Sequence, residues 1–390
     1  MARSKKKPVE LELDLGDSPD AVSDSVPDIA PEDSPLYGVL KSKTHTYSPE
    51  EVASLLGRID EGRYRKLAKE LGEYISVNLL KSVKKRGDLS KYRTNPYVFM
   101  ASAFAMQLTQ PDRLSEFIFN NKLYAGLETS FGKSIEKLFV SQYPIDSPET
   151  GRWIDPPEKV SEAGALKGLK REEKARRRVN SVWREIDKSC VVADRRFLVS
   201  IKSGPNCIND TQVQGMTDVI ATKHGTWLAE SKKSYPGVTG LDIVVGITYG
   251  TDKTTNNKEN QILAKLLEHG FKEEDRKNNP GVLIDSSGTV RVYRCIGQDF
   301  WSLIGNPVEP QKATFVFLET LLAVVKGLWT GLQAASLRDE INMKLAQLSA
   351  GFAKMMFPHE RLPIWASDEL NKDELFLLAT SLTAFYDQGI

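Results

Sequence analysis

The stretch CVVADRRFLVSIKSGPNCIND, residues 190–210, decides how the chain is read. CVVA and FLVSI are short apolar runs rich in β-branched residues, and Ala193-Asp194-Arg195-Arg196 between them reads as the turn of a β-hairpin. The second run stops at Lys202 and passes into Ser203-Gly204-Pro205-Asn206, a loop signal. An ammonium at the end of a buried strand costs free energy unless it is partnered. Lys202 is therefore either a satisfied strand end or part of a chemical site, and an acid upstream would favour the second.

Working outward, LDIVVGITYG at 241–250 and VLIDSSGTVRVYRCIG at 282–297 carry further strand signals, and VWREI at 182–186 reads as one more. Helical patterns surround this strand-rich middle. Ser48-Pro49-Glu50-Glu51 is a capping box with proline at the first helical position, followed by Val52, Leu55, Leu56 and Ile59 at helical spacing. KYRTNPYVFMASAFAMQL predicts a turn at Asn95-Pro96 and then a largely buried helix, and residues 114–140 predict two helices broken near Gly126. GALKGLKREEKARRRVNSVWRE, 164–185, predicts one strongly basic helical stretch. From about Gln311 the pattern returns to helix, in ATFVFLETLLAVVKGLWTGL and DEINMKLAQLSAGFAKMMF. The expected organisation is a disordered tail over 1–35, a helical region over 36–125, a core over 126–310 and a helical C-terminal region over 311–390.

Composition narrows the chemistry. The chain has 390 residues, 40% hydrophobic and 27% charged, enough for two or three domains with real cores. With 53 basic and 52 acidic residues the net charge is +1, which argues against a uniformly cationic coat while leaving room for a local basic cleft. The three cysteines, Cys190, Cys207 and Cys295, are far apart and form no C-x-x-C pair, a usage that fits a reducing compartment and disfavours disulfides and structural zinc. None of the four histidines stands in an H-x-x-x-H pair, so histidine-based zinc catalysis is not expected. The longest apolar run, around Phe315 to Val325, reads as a buried helix face and not as a membrane span. No apolar segment follows the basic MARSKKKP start, so the expected location is cytoplasmic.

The upstream acid exists. WREIDKSC places Asp187 at a strand edge, and the hairpin would bring Lys202 alongside it. A carboxylate that binds Mg²⁺ with a lysine close by is the arrangement metal-dependent phosphodiester cleavage needs: the metal polarises the phosphate, and the ammonium orients water or offsets charge. Gly132-Lys133-Ser134-Ile135-Glu136 offers a third element, with Glu136 on the helical face of Gly132 and Phe139. Taken alone, Glu136 reads as a solvated helix glutamate. Gly132-Lys133-Ser134 is a poor phosphate loop, because the glycine such a loop needs at position 127 is leucine. Asp194 competes with Asp187 for the first role, but a turn aspartate at a hairpin tip is the ordinary explanation.

The order ETSFGKSIEKLF, WREID, VSIKSGPNCINDTQ, LDIVVGITYG, CIGQDFWSLIGNP resembles type II restriction endonucleases of the PD-(D/E)XK nuclease superfamily, with the PmeII-like branch as the candidate within it. The resemblance spans roughly Asn95 to Pro307, and its more specific parts are the SIKSGPN and GQDFW segments. It implies an α/β fold, a restriction-endonuclease-like core with a mixed central sheet flanked by helices. It also implies Mg²⁺ as cofactor, double-stranded DNA as substrate, a homodimer, and a cognate DNA methyltransferase as genetic partner.

Carried over residue by residue, it makes Asp187 the first metal-binding acid, Lys202 the catalytic lysine and Glu136 the auxiliary helix glutamate, with the Ile201 carbonyl as a further ligand. The chain departs from the superfamily pattern at Ser200, where Asp or Glu usually stands two residues before the lysine. Glu136 is the first candidate to replace that acid and Asp210 the second, while Gln212 and Gln214 could give only neutral ligands. Expected DNA contacts are Ser203, Asn206, Asn209, Asp210 and Gln212 beside the scissile position, and Lys223, Lys232 and Lys233 in following loops. Residues 167–178 are a second candidate basic surface, the alternative being a plain solvated face balanced by Glu172 and Glu173. Phe300 and Trp301 read as core anchors. Two other functions share these features: a repair or recombination nuclease on the same fold, and a DNA-binding module whose site has decayed at Ser200.

Overall fold

The computed structural model describes residues 48–86, 92, 94–144, 151–179, 181–204, 207–251, 254–275, 279–331, 335–355 and 362–382; the tail expected over 1–35 lies outside them. Four helices come first: α1 (Pro49–Leu56), α2 (Glu61–Lys84), α3 (Pro96–Ala105) and α4 (Pro111–Ser134). The Ser48 capping box forms as expected, and the Asn95 side chain caps α3. A π-helical turn, Ile135–Phe139, and a 3₁₀ turn, Val140–Gln142, prolong α4. Next come α5 (Pro157–Ala165), α6 (Arg171–Val179), β1 (Lys188–Val192), β2 (Arg195–Lys202), α7 (Asp210–Ser234), β3 (Gly240–Ile247) and α8 (Lys258–Glu268). The chain continues through β4 (Lys272–Asp275), β5 (Asn279–Ile284), β6 (Val290–Ile296), α9 (Gln298–Gly305), α10 (Val316–Gly331), α11 (Ala335–Ala353), α12 (Ile364–Glu369) and α13 (Lys372–Thr380).

The fold is α/β, with a six-stranded mixed sheet ordered β1-β2-β3-β6-β5-β4. The β1–β2 hairpin turns at Ala193-Asp194, with Val192 opposite Arg195, and α7 carries the chain across so that β3 lies parallel to β2. β6 is parallel to β3, and β5 and β4 close the other side antiparallel. Such a β-α-β crossover needs strands apolar on both faces, and β3 is buried at every position.

Alternation along β2 divides the core between the two faces. Phe197 and Val199 belong to one cluster with α2, the π turn, α9 and α10, and Ile201 packs against it. Leu198 belongs to the other, with Trp183, α7 and α8. Phe300 of α9 lies against Gly246, where a Cβ would sit 2.6 Å from the ring, and Trp301 donates to the Thr248 carbonyl at 2.9 Å. Both are core residues, as their sequence setting suggests. A third cluster joins the end of α2 with α3, α4, α11 and α13. The N- and C-terminal helical segments expected from the sequence thus interleave in space, since α2 and α10 share the core of the sheet.

Several local expectations are corrected. VWREI is a set of turns, because Trp183 tucks against Trp227 of α7 and donates to Glu230 instead of joining the ladder. α4 runs unbroken through Gly126, whose missing Cβ makes room for the Arg86 guanidinium at 2.6 Å. The basic stretch is two helices, separated near Gly168 at φ +89°, and the first of them starts earlier than expected, at Pro157. On α3 only Phe99 and Ala103 are buried, so the helix is half and not largely covered. The helical segment Pro310–Thr330 is, by length and composition, apolar enough to cross a bilayer, with a mean hydropathy of 1.5 and 39% of the window buried. Its inner side packs on α2 as a buried helix face would: Gly72 and Gly327 meet at the crossing, where a Cβ on Gly327 would come within 2.5 Å of the Ala68 carbonyl oxygen. It also carries Glu319, which accepts from Arg63 and from the Tyr143 hydroxyl.

Candidate active site at the β1 edge of the sheet

Beyond β1, Ile154 exchanges backbone hydrogen bonds with Ser189. Pro156 and Pro157 then start α5 directly, proline at the first helical position having φ already set for a helix. The first turn of α5 is locked to the sheet. Glu158 takes two hydrogen bonds from Arg196, at 2.8 and 2.9 Å, and the Arg196 side chain is fully buried with Trp183 and Tyr235 each 5.1 Å from its guanidinium carbon. Burial works against the Glu158 carboxylate, yet the Arg196 bonds hold it below its ordinary value. The next residue, Lys159, points to the start of β1, donating to the Ile186 carbonyl and standing 3.6 Å from Asp187 Oδ1.

Asp187 is fixed from two sides. Its amide donates to the Val199 carbonyl at 2.8 Å, and its Oδ2 accepts from the Ile201 amide at 2.7 Å. In an extended strand the N–H and C=O of one residue point the same way, so the Ile201 carbonyl also faces the Asp187 side. Glu136, in the π turn after α4, completes the group. Burial and then the charge of Asp187 push its carboxyl up, while Lys188 and Lys159 pull it down. Lys188 is buried and bonded to Asp155 at 2.6 Å, with Ser141 at 3.5 Å. The result is a half-buried cluster of alternating charge, Glu136, Asp187, Lys159, Lys188 and Asp155, drawn from three separate elements.

The structure therefore joins Asp187 to Ile201 and leaves Glu136 within range of the Asp187 charge. Lys202 is placed otherwise. It ends β2 on the face of Leu198, opposite to Val199 and Ile201, and its ammonium stands 3.9 Å from Glu185. Ser200 shares that face and is buried, with its hydroxyl unpartnered. Ser203 lies against Gly132, 3.2 Å from a Cβ built there, so the end of α4 does pack on the loop after β2. Asn206 lies outside the described residues.

The remaining residues have other engagements. Asn209 caps α7 and forms a capping box with Gln212, which removes Gln212 as a ligand. Asp210 pairs with Lys258 and is lowered by it, with a side chain 86% exposed, so it does not stand in for the missing acid. Gln214 bonds Asp218 and Lys265. Asp194 holds the hairpin tip, accepting from Thr239 and Gly240. Lys223, Lys232 and Lys233 are not in loops: all lie in α7, a helix of 25 residues. At 1.5 Å per residue, Lys232 and Lys233 stand roughly 35 Å along the axis from Asn209, so one short DNA backbone segment does not touch both ends.

Sequence reasoning missed Lys159, Glu158 and Lys188. The available signal was Asp155-Pro156-Pro157-Glu158-Lys159, a proline helix start with an acid in its first turn.

The donors at this site suit the cation that the resemblance implies. Two carboxylates and a backbone carbonyl are hard oxygen donors, and Mg²⁺ is commonly held by one or two carboxylates while keeping several waters. Asp187 and Glu136 fit that mode. They do not make a dedicated protein cage: among the described residues no group of three or more His, Cys, Asp or Glu side chains stands in metal-holding arrangement. The cysteines are free, Cys190 and Cys295 buried and Cys207 exposed. In comparisons with known proteins, no family model matches the chain and no curated protein matches it significantly.

Proposed function

We propose that this chain is a Mg²⁺-dependent deoxyribonuclease of the PD-(D/E)XK type, a restriction endonuclease that cleaves double-stranded DNA at specific sites. The observation that carries the reading is the pinning of Asp187 by the Ile201 amide at 2.7 Å, with the charge of Asp187 felt at Glu136. The element order supports it too: helix, hairpin, crossover helix and parallel strand, with the acid at the hairpin mouth. Mg²⁺, when bound, would supply Lewis-acid activation of the phosphate and of water.

The chain's own residues have separable tasks. Asp187 and Glu136 would hold the cation, and the Ile201 amide fixes the carboxylate orientation before any ligand arrives. Ser203 and the start of α7 would bear on the DNA backbone. A homodimer would place two such centres on the two strands, and a cognate methyltransferase would protect host sites in the cytoplasm.

A second reading rests on Ser200. A buried, unpartnered serine stands where a carboxylate usually does, and a decayed module would bind DNA without cutting it. The deciding experiment is digestion of unmethylated phage and plasmid DNA with Mg²⁺, with Asp187→Ala and Glu136→Ala run beside the wild type. Discrete fragments, lost in both variants, support the nuclease. Smears independent of sequence favour a repair-type nuclease, and intact DNA that is nonetheless bound favours the decayed module.

A further inference from the structure

We infer that the ammonium serving the Asp187–Glu136 carboxylate pair is Lys159 of α5, and that Glu158 is the positioning residue that holds it there. The inference rests on the nuclease reading and changes one of its parts. The acid each one meets decides between the lysines. Lys159 Nζ is 3.6 Å from Asp187 Oδ1, whereas Lys202 Nζ pairs with Glu185 at 3.9 Å. Lys188 is the other ammonium nearby, and it is committed to Asp155 and Ser141 with a side chain 6% exposed. Lys159 is 33% exposed, able to reach a ligand arriving from solvent.

The setting of Lys159 is built and rigid. The preceding residue is clamped by a buried guanidinium stacked with two aromatic rings, so the lysine backbone cannot drift from the sheet edge without breaking the Glu158–Arg196 pair. A fixed ammonium beside two carboxylates can donate to a non-bridging phosphate oxygen as negative charge builds there. In the step itself a water oxygen bonds to phosphorus and one phosphoester bond breaks. The leaving oxygen ends with one of the water's protons, the other hydrogen stays on the new phosphate hydroxyl, and Lys159 remains charged throughout.

The test uses the full-length protein and the variants Lys159→Met, Lys159→Arg, Lys202→Met and Glu158→Gln, each checked for native circular dichroism. Cleavage by K159M should fall by about a hundredfold or more, the scale for losing a fixed donor to a developing oxyanion. K159R should recover much of the rate, E158Q should lose part of it, and K202M should stay within a few-fold of wild type. Calcium binding, measured calorimetrically without DNA, gives a readout independent of turnover. Removing a positive charge this close to Asp187 should tighten Ca²⁺ binding by about threefold or more in K159M, and K202M should leave it unchanged.

Loss of cleavage in K202M with an active K159M would overturn the inference and leave the nuclease reading standing. A wild type that cuts no substrate would refute the nuclease reading instead. In that case an unchanged calcium affinity in K159M would overturn the placement of Lys159 as well, and a tightened one would support it.

Discussion

Glu319→Ala probes the node that ties α2, α10 and the segment after the π turn. Arg63 donates to Glu319 through Nε at 2.9 and 3.2 Å and through Nη2 at 3.1 Å, and the Tyr143 hydroxyl adds a bond at 3.0 Å. The Glu319 side chain is fully buried and Arg63 is 19% exposed. Removing the carboxylate strands a guanidinium that water can reach only in part, and a tyrosine hydroxyl that water cannot reach. Breaking a buried pair from one side costs about 3–5 kcal/mol; with Arg63 partly rehydrated and Tyr143 not, about 4 kcal/mol is expected. With a urea slope of about 3 kcal/mol/M, the unfolding midpoint should drop by about 1.3 M, followed by far-ultraviolet circular dichroism. Tyr143→Phe keeps the ion pair and should cost only about 1 kcal/mol. A midpoint shift under about 0.3 M for E319A, or equal losses for the two variants, would refute the reasoning.

Three further outcomes follow from other parts of the molecule. Gly327→Ala drives a methyl to 2.5 Å from the Ala68 carbonyl oxygen and should destabilise by about 1–3 kcal/mol in thermal unfolding, while the exposed Gly225→Ala, with nothing nearby, should be neutral or stabilising. Ser200→Asp supplies the acid that the proposed nuclease reading expects two residues before Lys202 but buries a carboxylate; it should lower stability by several kcal/mol and, on that reading, should not raise the cleavage rate, so faster cleavage would show that position 200 faces the site. Burial and Asp187 raise the Glu136 carboxyl, so if its ionised form holds the cation, Ca²⁺ affinity should fall as pH drops through a midpoint above the ordinary glutamate value of about 4.3; an affinity that stays flat to pH about 4.5 would exclude Glu136 from that role.

Much of this architecture was legible in the chain. The hairpin of residues 190–202 and the strands at 241–247 and 282–296 follow from β-branched runs punctuated by turn residues, because those signals are local, whereas most of the crossover helix reads as loops in the sequence. What resisted was anything that one element imposes on another. VWREI has strand composition, yet Trp183 is claimed by the crossover helix, and Gly126 breaks nothing because a guanidinium occupies the space beside it. Of the site residues named from order along the chain, Asp187 and Ile201 are joined by a hydrogen bond, and Glu136 lies near enough to feel the charge of Asp187. Lys202 was assigned from its place at a strand end, from the hairpin with Asp187 and from the resemblance, and none of these reports which acid the ammonium meets, here Glu185 at 3.9 Å. Lys159 was invisible for the opposite reason: its place beside Asp187 depends on a clamp between residues 38 positions apart, Glu158 and Arg196.

The two margins of the sheet bear on how the protein keeps from sticking to itself. A bare edge strand is a template for a second chain. Here the outer side of β1 is already taken at Ser189 by the exchanged bonds with Ile154, and the far margin is β4, whose sequence Lys-Glu-Glu-Asp is charged at every position. An incoming strand would have to displace Ile154 at one end or desolvate a row of charges at the other. The native molecule is thus capped against end-to-end polymerisation, and aggregation on heating should track unfolding of the hairpin margin.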